Sequence, residues 1–217
     1  MHFKSHNYTI SDYTSISICI ALMAICSWIT IPATVPFTLQ TFAVFVTVGL
    51  LGGRKGTAAI AAYLLMGAIG LPVFAGFSGG IGYMLGATGG YIIGFLFSAV
   101  IMWGFECRWG SSIRVLTVSM PAGLLVCYTF GTIWFATVYS SGTDIMNVVS
   151  LCVLPFVVPD ICKIILAAEI CRRMRPILSV IIDGHFMTAS PYIKKNCIKN
   201  GRQIELPAEK GGYRDGR

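Results

Sequence analysis

The sequence predicts an all-α integral membrane protein with six transmembrane helices, N- and C-termini cytoplasmic, and a long Gly-rich outer loop between helices three and four. Three observations carry this fold class. Hydrophobic residues make up 55% of the 217 positions and charged residues only 12%, about half the charged share usual in a soluble domain, and mean hydropathy is +0.75. No Asp, Glu, Lys or Arg stands between Asp12 and Arg54, between Lys55 and Glu106, or between Arg114 and Asp144; each gap exceeds the roughly 20 apolar residues that cross a bilayer. The basic residues that remain fall into alternate loops, as membrane orientation requires.

Punctuation by Gly, Pro and charge sets the elements. Helix one runs from about Thr14 to Ile31 and stops at Pro32; it follows Lys4 without a convincing cleavage site, so it reads as a span and not a signal peptide. Helix two, about Leu39 to Leu51, is short. The turn "GGRKG" at 52–56 leads to helix three, about Thr57 to Gly70. The Gly-rich stretch "LPVFAGFSGGIGYMLGATGG" precedes helix four, about Gly90 to Phe105. Helix five covers about Val115 to Tyr139, and helix six about Val148 to Cys171, with a break expected near Pro155 and Pro159. The loops after helices two and four carry Arg54, Lys55, Arg108 and Arg114, and the tail opens with Arg172, Arg173 and Arg175. Basic loops stay cytoplasmic. The domain organisation is therefore a cytoplasmic segment at 1–13, a membrane domain at 14–175 and a basic, flexible cytoplasmic tail at 176–217, whose clusters suit anionic lipid headgroups.

Several function classes drop out. The net charge of +7 lies in loops and tail, so it orients the chain and does not signal nucleic acid. The eight cysteines form no CxxC and lie mostly in apolar segments, where they read as small buried hydrophobes and not as a metal or disulfide framework. "SGGIGYMLG" misses the spacing of a dinucleotide-binding loop, and "GGRKGT" has the wrong order for a phosphate-binding loop. The chain carries no ATPase motif. His2, His6 and His185 lie in terminal regions, leaving no catalytic dyad. No enzyme activity, cofactor or metal site is expected.

The anomaly is "PFVVPDICKIILAAE", where Asp160 and Lys163 interrupt apolar sequence. Each charge costs on the order of 2.5–3.5 kcal/mol at the centre of a membrane helix, and residues three apart share a helix face and can pair. With Pro159 opening the regular part of helix six, both charges fall at its outer end, where the helix dipole also favours Asp160. The Gly-rich loop and the segment "TVPFTLQTFAVF" reach the same outer region. The expected ligand-binding set is Asp160, Lys163, Gln40 and Thr41, the loop residues Ser78, Gly79 and Gly80, and the aromatics Phe74, Tyr83 and Tyr91. At Gln40 a structural hydrogen bond and a ligand contact remain equal readings; Phe37 flanks the same region.

The stretches "VPFTLQTFAV", "YLLMGAIGLPVFAGFSGGIGYMLGATGGYIIGF" and "PDICKIILA" closely resemble the biotin-specific substrate-binding (S) component of energy-coupling factor (ECF) transporters, over about Thr14 to Cys171. The resemblance implies a bacterial inner (cytoplasmic) membrane protein that binds biotin from outside. It would work with a transmembrane T component and two ABC-type ATPase subunits, toppling within the membrane to deliver the ligand. It further implies that small residues on helix one, here Ser17, Ala21 and Ala24 in "SICIALMAICSW", meet the T component. Biotin carries a ureido head with N–H donors and a distant carboxylate, so Lys163 could take the carboxylate and Asp160 the ureido group; the sequence leaves the assignment open. The rival readings are an ion-coupled secondary transporter using Asp160 as carrier, an S component for another vitamin, and an assembly subunit without a ligand.

Overall fold

The computed structural model describes residues 9–31, 36–139, 148–150 and 153–183. The tail beyond 183, the loop around Asp144, residues 1–8, and Cys152 and Cys197 lie outside them. The chain divides into a unit Met1–Leu178 and a second unit Ser179–Arg217; the described part of the second, 179–183, is helical.

The described residues are mostly helical. Helix α1 is Ile10–Trp28, followed by a two-residue hairpin of β1, Thr30–Ile31, and β2, Phe37–Thr38, with Thr30 opposite Thr38. Then come α2, Gln40–Leu51; α3, Gly53–Ala68; a 3₁₀ turn, Ala75–Phe77; α4, Ile81–Met84; α5, Gly89–Trp109; α6, Ile113–Trp134; a π turn, Phe135–Tyr139; and α7, Leu154–Asp183. Three of these, Ile10–Trp28, Gly89–Trp109 and Ile113–Val138, are long and apolar enough to cross a membrane. The surface agrees: Ile18, Leu65, Val118, Leu125 and Ile165 are all more than 60% exposed. Large apolar side chains in such numbers on the outside suit lipid or a partner, not water. Inside, Met23, Phe45, Ile60, Tyr63, Met102 and Met120 are fully buried.

Two expected boundaries are corrected. Helix three opens at Gly53 and not near Thr57, because Gly52 alone makes the turn. The first turn of α3 then carries Arg54 and Lys55, and Lys55 pairs with Asp12 of α1. Helix six is not broken at its prolines; α7 runs through both Pro159 and Pro176. Pro155 occupies the first turn, where an N–H has no intrahelical partner, and Pro159 forgoes only the bond back to that turn.

The end of the bundle away from Asp160 is fastened by side chains reaching across elements. The backbone N–H of Gly53 donates to the Glu106 carboxylate. Arg175 of α7 donates to the carbonyls of Gly49, at 2.6 Å, and Ser111, at 3.1 Å. At the opposite end, the stretch from Leu71 to Thr88 folds back on α3. Ser27 and Tyr63 both donate to the carbonyl of Val73, and Trp28 donates to the carbonyl of Pro72.

Gly67 is the point where this stretch settles onto α3: a β-carbon there would lie 2.0 Å from the ring of the fully buried Phe74. Gly67→Ala should therefore cost about 1–3 kcal/mol, the usual penalty for overpacking a filled core. Gly82→Ala, with nothing within 4 Å of the added carbon, should leave the unfolding midpoint near wild type. Thermal unfolding of the two detergent-solubilised variants measures the difference.

Candidate functional site

At the start of α7, Asp160 and Lys163 are 3% and 6% exposed, so their charges are out of solvent and must be satisfied by the protein. The Lys163 ammonium donates to Asp160 Oδ1 at 2.7 Å and to the carbonyl of Thr38 at 2.7 Å, and stands 4.1 Å from the ring centroid of Phe37, within cation–π range. The second carboxylate oxygen of Asp160 accepts from the Tyr128 hydroxyl of α6. Asp160 lies in the second turn of α7, not at its first residue, so the dipole at the helix start, which fades within one turn, gives way to these direct partners.

The pair closes one side of a cavity that opens to the surface. Gln40 and Thr41 line it from the start of α2, Tyr83 from α4, Tyr91 from α5 and Tyr128 from α6. Phe95, Leu124 and Phe156 supply apolar wall, and Phe37 and Phe156 stack at 6.1 Å between centroids. The Gln40 amide nitrogen donates to the Tyr63 hydroxyl at 2.7 Å. Gln40 thus lines the cavity and holds α3 through a structural hydrogen bond, one of the two readings left open by the sequence. The Tyr91 hydroxyl is 3.3 Å from Thr132 Oγ1.

The structure gathers Asp160, Lys163, Gln40, Thr41, Tyr83 and Tyr91 around one cavity. It places the other four expected ligand residues elsewhere. Phe74 stands behind the wall, stacked on Tyr83 at 5.7 Å and edge-on to Tyr63 at 5.7 Å. Ser78, Gly79 and Gly80 do not line the cavity but shape the loop. The Ser78 carbonyl accepts from Phe74 N–H, Gly80 N–H donates to the Gly67 carbonyl at 2.7 Å, and a side chain at Gly79 would strike the Leu71 carbonyl at 2.2 Å. On α1, Ser17 and Ala21 are exposed, whereas Ala24, further along the same stripe, is buried in the core. Of the cysteines, Cys19, Cys26, Cys127 and Cys171 are buried as expected, but Cys107 and Cys162 are exposed.

Thr38, Thr88, Tyr128 and Phe156 line the cavity without having been singled out from the sequence. Thr38 acts through its backbone carbonyl, which leaves no mark on residue type. Tyr128 sits one turn beyond Leu124 on an apolar helix, where a tyrosine is usually an interfacial anchor. Only its place opposite Asp160 reveals it.

The arrangement offers a donor and an acceptor side by side at one end of an apolar, aromatic-walled cavity. That suits an amphipathic small molecule, and among the described residues there is no cluster of metal ligands.

Residues 3–180 match the BioY family. The chain is 40% identical over 156 residues to the biotin transporter BioY of Thermotoga maritima, covering 71% of this chain and 90% of that one. It is 43% identical over 141 residues to a probable biotin transporter BioY of Pyrococcus horikoshii, covering 65% and 81%. Its fold matches a crystal structure of the S-component for biotin from an ECF-type ABC transporter, with a TM-score of 0.69, 29% identity, and coverage of 77% of this chain and 92% of that one.

Removing one buried charge leaves the other uncompensated, which costs about 3–5 kcal/mol. Lys163→Ala should accordingly lower the unfolding midpoint of the ligand-free protein markedly. The double substitution Asp160→Asn with Lys163→Met should recover part of that loss, and a thermal melt of each in detergent reads it.

Proposed function

This chain belongs to the BioY family, and from that premise we propose that it is the membrane subunit that captures biotin for uptake. In this reading six helices, α1, α2, α3, α5, α6 and α7, span the cytoplasmic membrane with both termini inside. The cavity opens outward, and a transmembrane T component with two ATPase subunits supplies the energy. The basic turn at Arg54 and Lys55, and Arg108, Arg114, Arg172 and Arg173 at the end remote from the cavity, support that orientation. The exposed Ser17 and Ala21 on α1 are the proposed contacts for the T component.

The observation that carries the ligand assignment is the Lys163–Asp160 pair, a donor and an acceptor 2.7 Å apart. A ureido group presents a carbonyl and an N–H side by side, the complement of that pair. The biotin carboxylate sits at the far end of a flexible chain, so one salt-bridged pair does not reach both ends at once. We therefore assign both charges to the ureido head: Lys163 donates to its oxygen and Asp160 accepts from its nitrogen. The aromatic wall of Tyr83, Tyr91 and Phe156 covers the apolar bicycle.

Purified protein should show a biotin-dependent rise in melting temperature, since ligand at a hundred times its Kd adds about 2.7 kcal/mol. Lys163→Ala and Asp160→Asn should each weaken biotin binding. A rise with a different vitamin and none with biotin would reassign the specificity within the same subunit class; unchanged biotin affinity in both variants would contradict the site. Radiolabelled biotin uptake in an auxotrophic host should depend on co-expressed energising subunits and not on the proton gradient.

A further inference from the structure

We propose that Tyr128 is a positioning residue for recognition: it acts on the ligand through Asp160, by fixing the direction in which that carboxylate faces. The proposal rests on the biotin-binding reading of the cavity and adds to it a residue on a different helix from the charged pair.

The argument begins with the oxygens of Asp160. An ionised carboxylate has about four acceptor sites, two on each oxygen. One site on Oδ1 is taken by the Lys163 ammonium at 2.7 Å, and one on Oδ2 by the Tyr128 hydroxyl. With a donor on each oxygen, from α7 itself and from α6, the carboxylate plane is defined at both ends. The remaining acceptor sites keep one direction relative to the cavity that Asp160, Lys163 and Tyr128 all line.

Lys163 is held in the same chain. Its ammonium divides its donors between Asp160 and the Thr38 carbonyl, with the Phe37 ring 4.1 Å away. Without the Tyr128 hydroxyl, Oδ2 keeps no hydrogen-bond partner among the described residues. The carboxylate is then free to turn and present both oxygens to Lys163, an arrangement that satisfies the charges but draws the ammonium from Thr38 and turns the acceptor sites away from the cavity. The hydroxyl therefore prevents the ion pair from closing on itself. A tyrosine suits this task because its ring packs in the apolar wall while its hydroxyl reaches the charge.

The test uses the full chain in nanodiscs and radiolabelled biotin. Tyr128→Phe keeps the ring and removes only the hydroxyl; it should weaken binding roughly 10- to 100-fold, the range expected for one hydrogen bond to a charged group. The discriminating readout is a double-mutant cycle with Asp160→Ala. If Tyr128 acts through Asp160, adding Tyr128→Phe to Asp160→Ala changes the affinity by less than about twofold. Should it add its full factor there, the tyrosine works independently of Asp160 and the proposal is overturned. Wild-type affinity in Tyr128→Phe alone also overturns it. If Asp160→Ala binds too weakly to measure, a crystal structure of Tyr128→Phe decides: Asp160 turned with both oxygens on Lys163 supports the proposal, and an unmoved carboxylate contradicts it. Failure of the wild-type protein to bind biotin would instead remove the functional reading on which this one stands.

Discussion

The ammonium of Lys163 is buried in an apolar bundle, and the end of the molecule that holds it is organised around satisfying that charge. Asp160 alone would neutralise it, but a buried ion pair repays its desolvation only when hydrogen bonds complete the geometry. The completion comes from two other places in the chain: β2, through the carbonyl of Thr38 and the ring of Phe37, and α6, through the hydroxyl of Tyr128. One charge pair on α7 thereby ties together the segments that frame the cavity.

A second set of polar contacts does the same at the remote end with different chemistry. There Glu106 accepts from the backbone of Gly53, Arg175 donates to Gly49 and Ser111, and Asp12 pairs with Lys55. Helix α7 is held at two points along its length by long side chains, Lys163 and Arg175, which take hold of backbone carbonyls on and beside α2. Between them the helix buries Ile164, Ala167 and Cys171, so apolar packing and directed hydrogen bonds act on the same face.

Much of this was legible in the sequence, for identifiable reasons. Asp160 and Lys163 stand out because charge inside apolar sequence is costly, and Gln40 because an amide at the mouth of a helix needs partners. The helices themselves follow from charge-free runs between Gly and Pro. Other features were less legible. The Gly-rich loop was visible as composition, but Gly79 and Gly80 turned out to shape the loop and not to line the cavity, because a glycine signals close backbone approach without saying to what. Pro159 suggested a broken helix, yet near a helix start a missing N–H removes little. The Thr38 carbonyl has no signature in residue type, and Tyr128 is one aromatic among many until α6 sets it against Asp160.

The central claim is that the paired charges and the ligand meet at one end, the ureido head. A crystal structure of this chain with biotin bound measures that directly. The account predicts the ureido oxygen and one ureido nitrogen within about 3.2 Å of Lys163 Nζ and an Asp160 carboxylate oxygen respectively, with the bicycle against Tyr83, Tyr91 and Phe156. Biotin seated with its carboxylate on Lys163, or outside the cavity altogether, would contradict it.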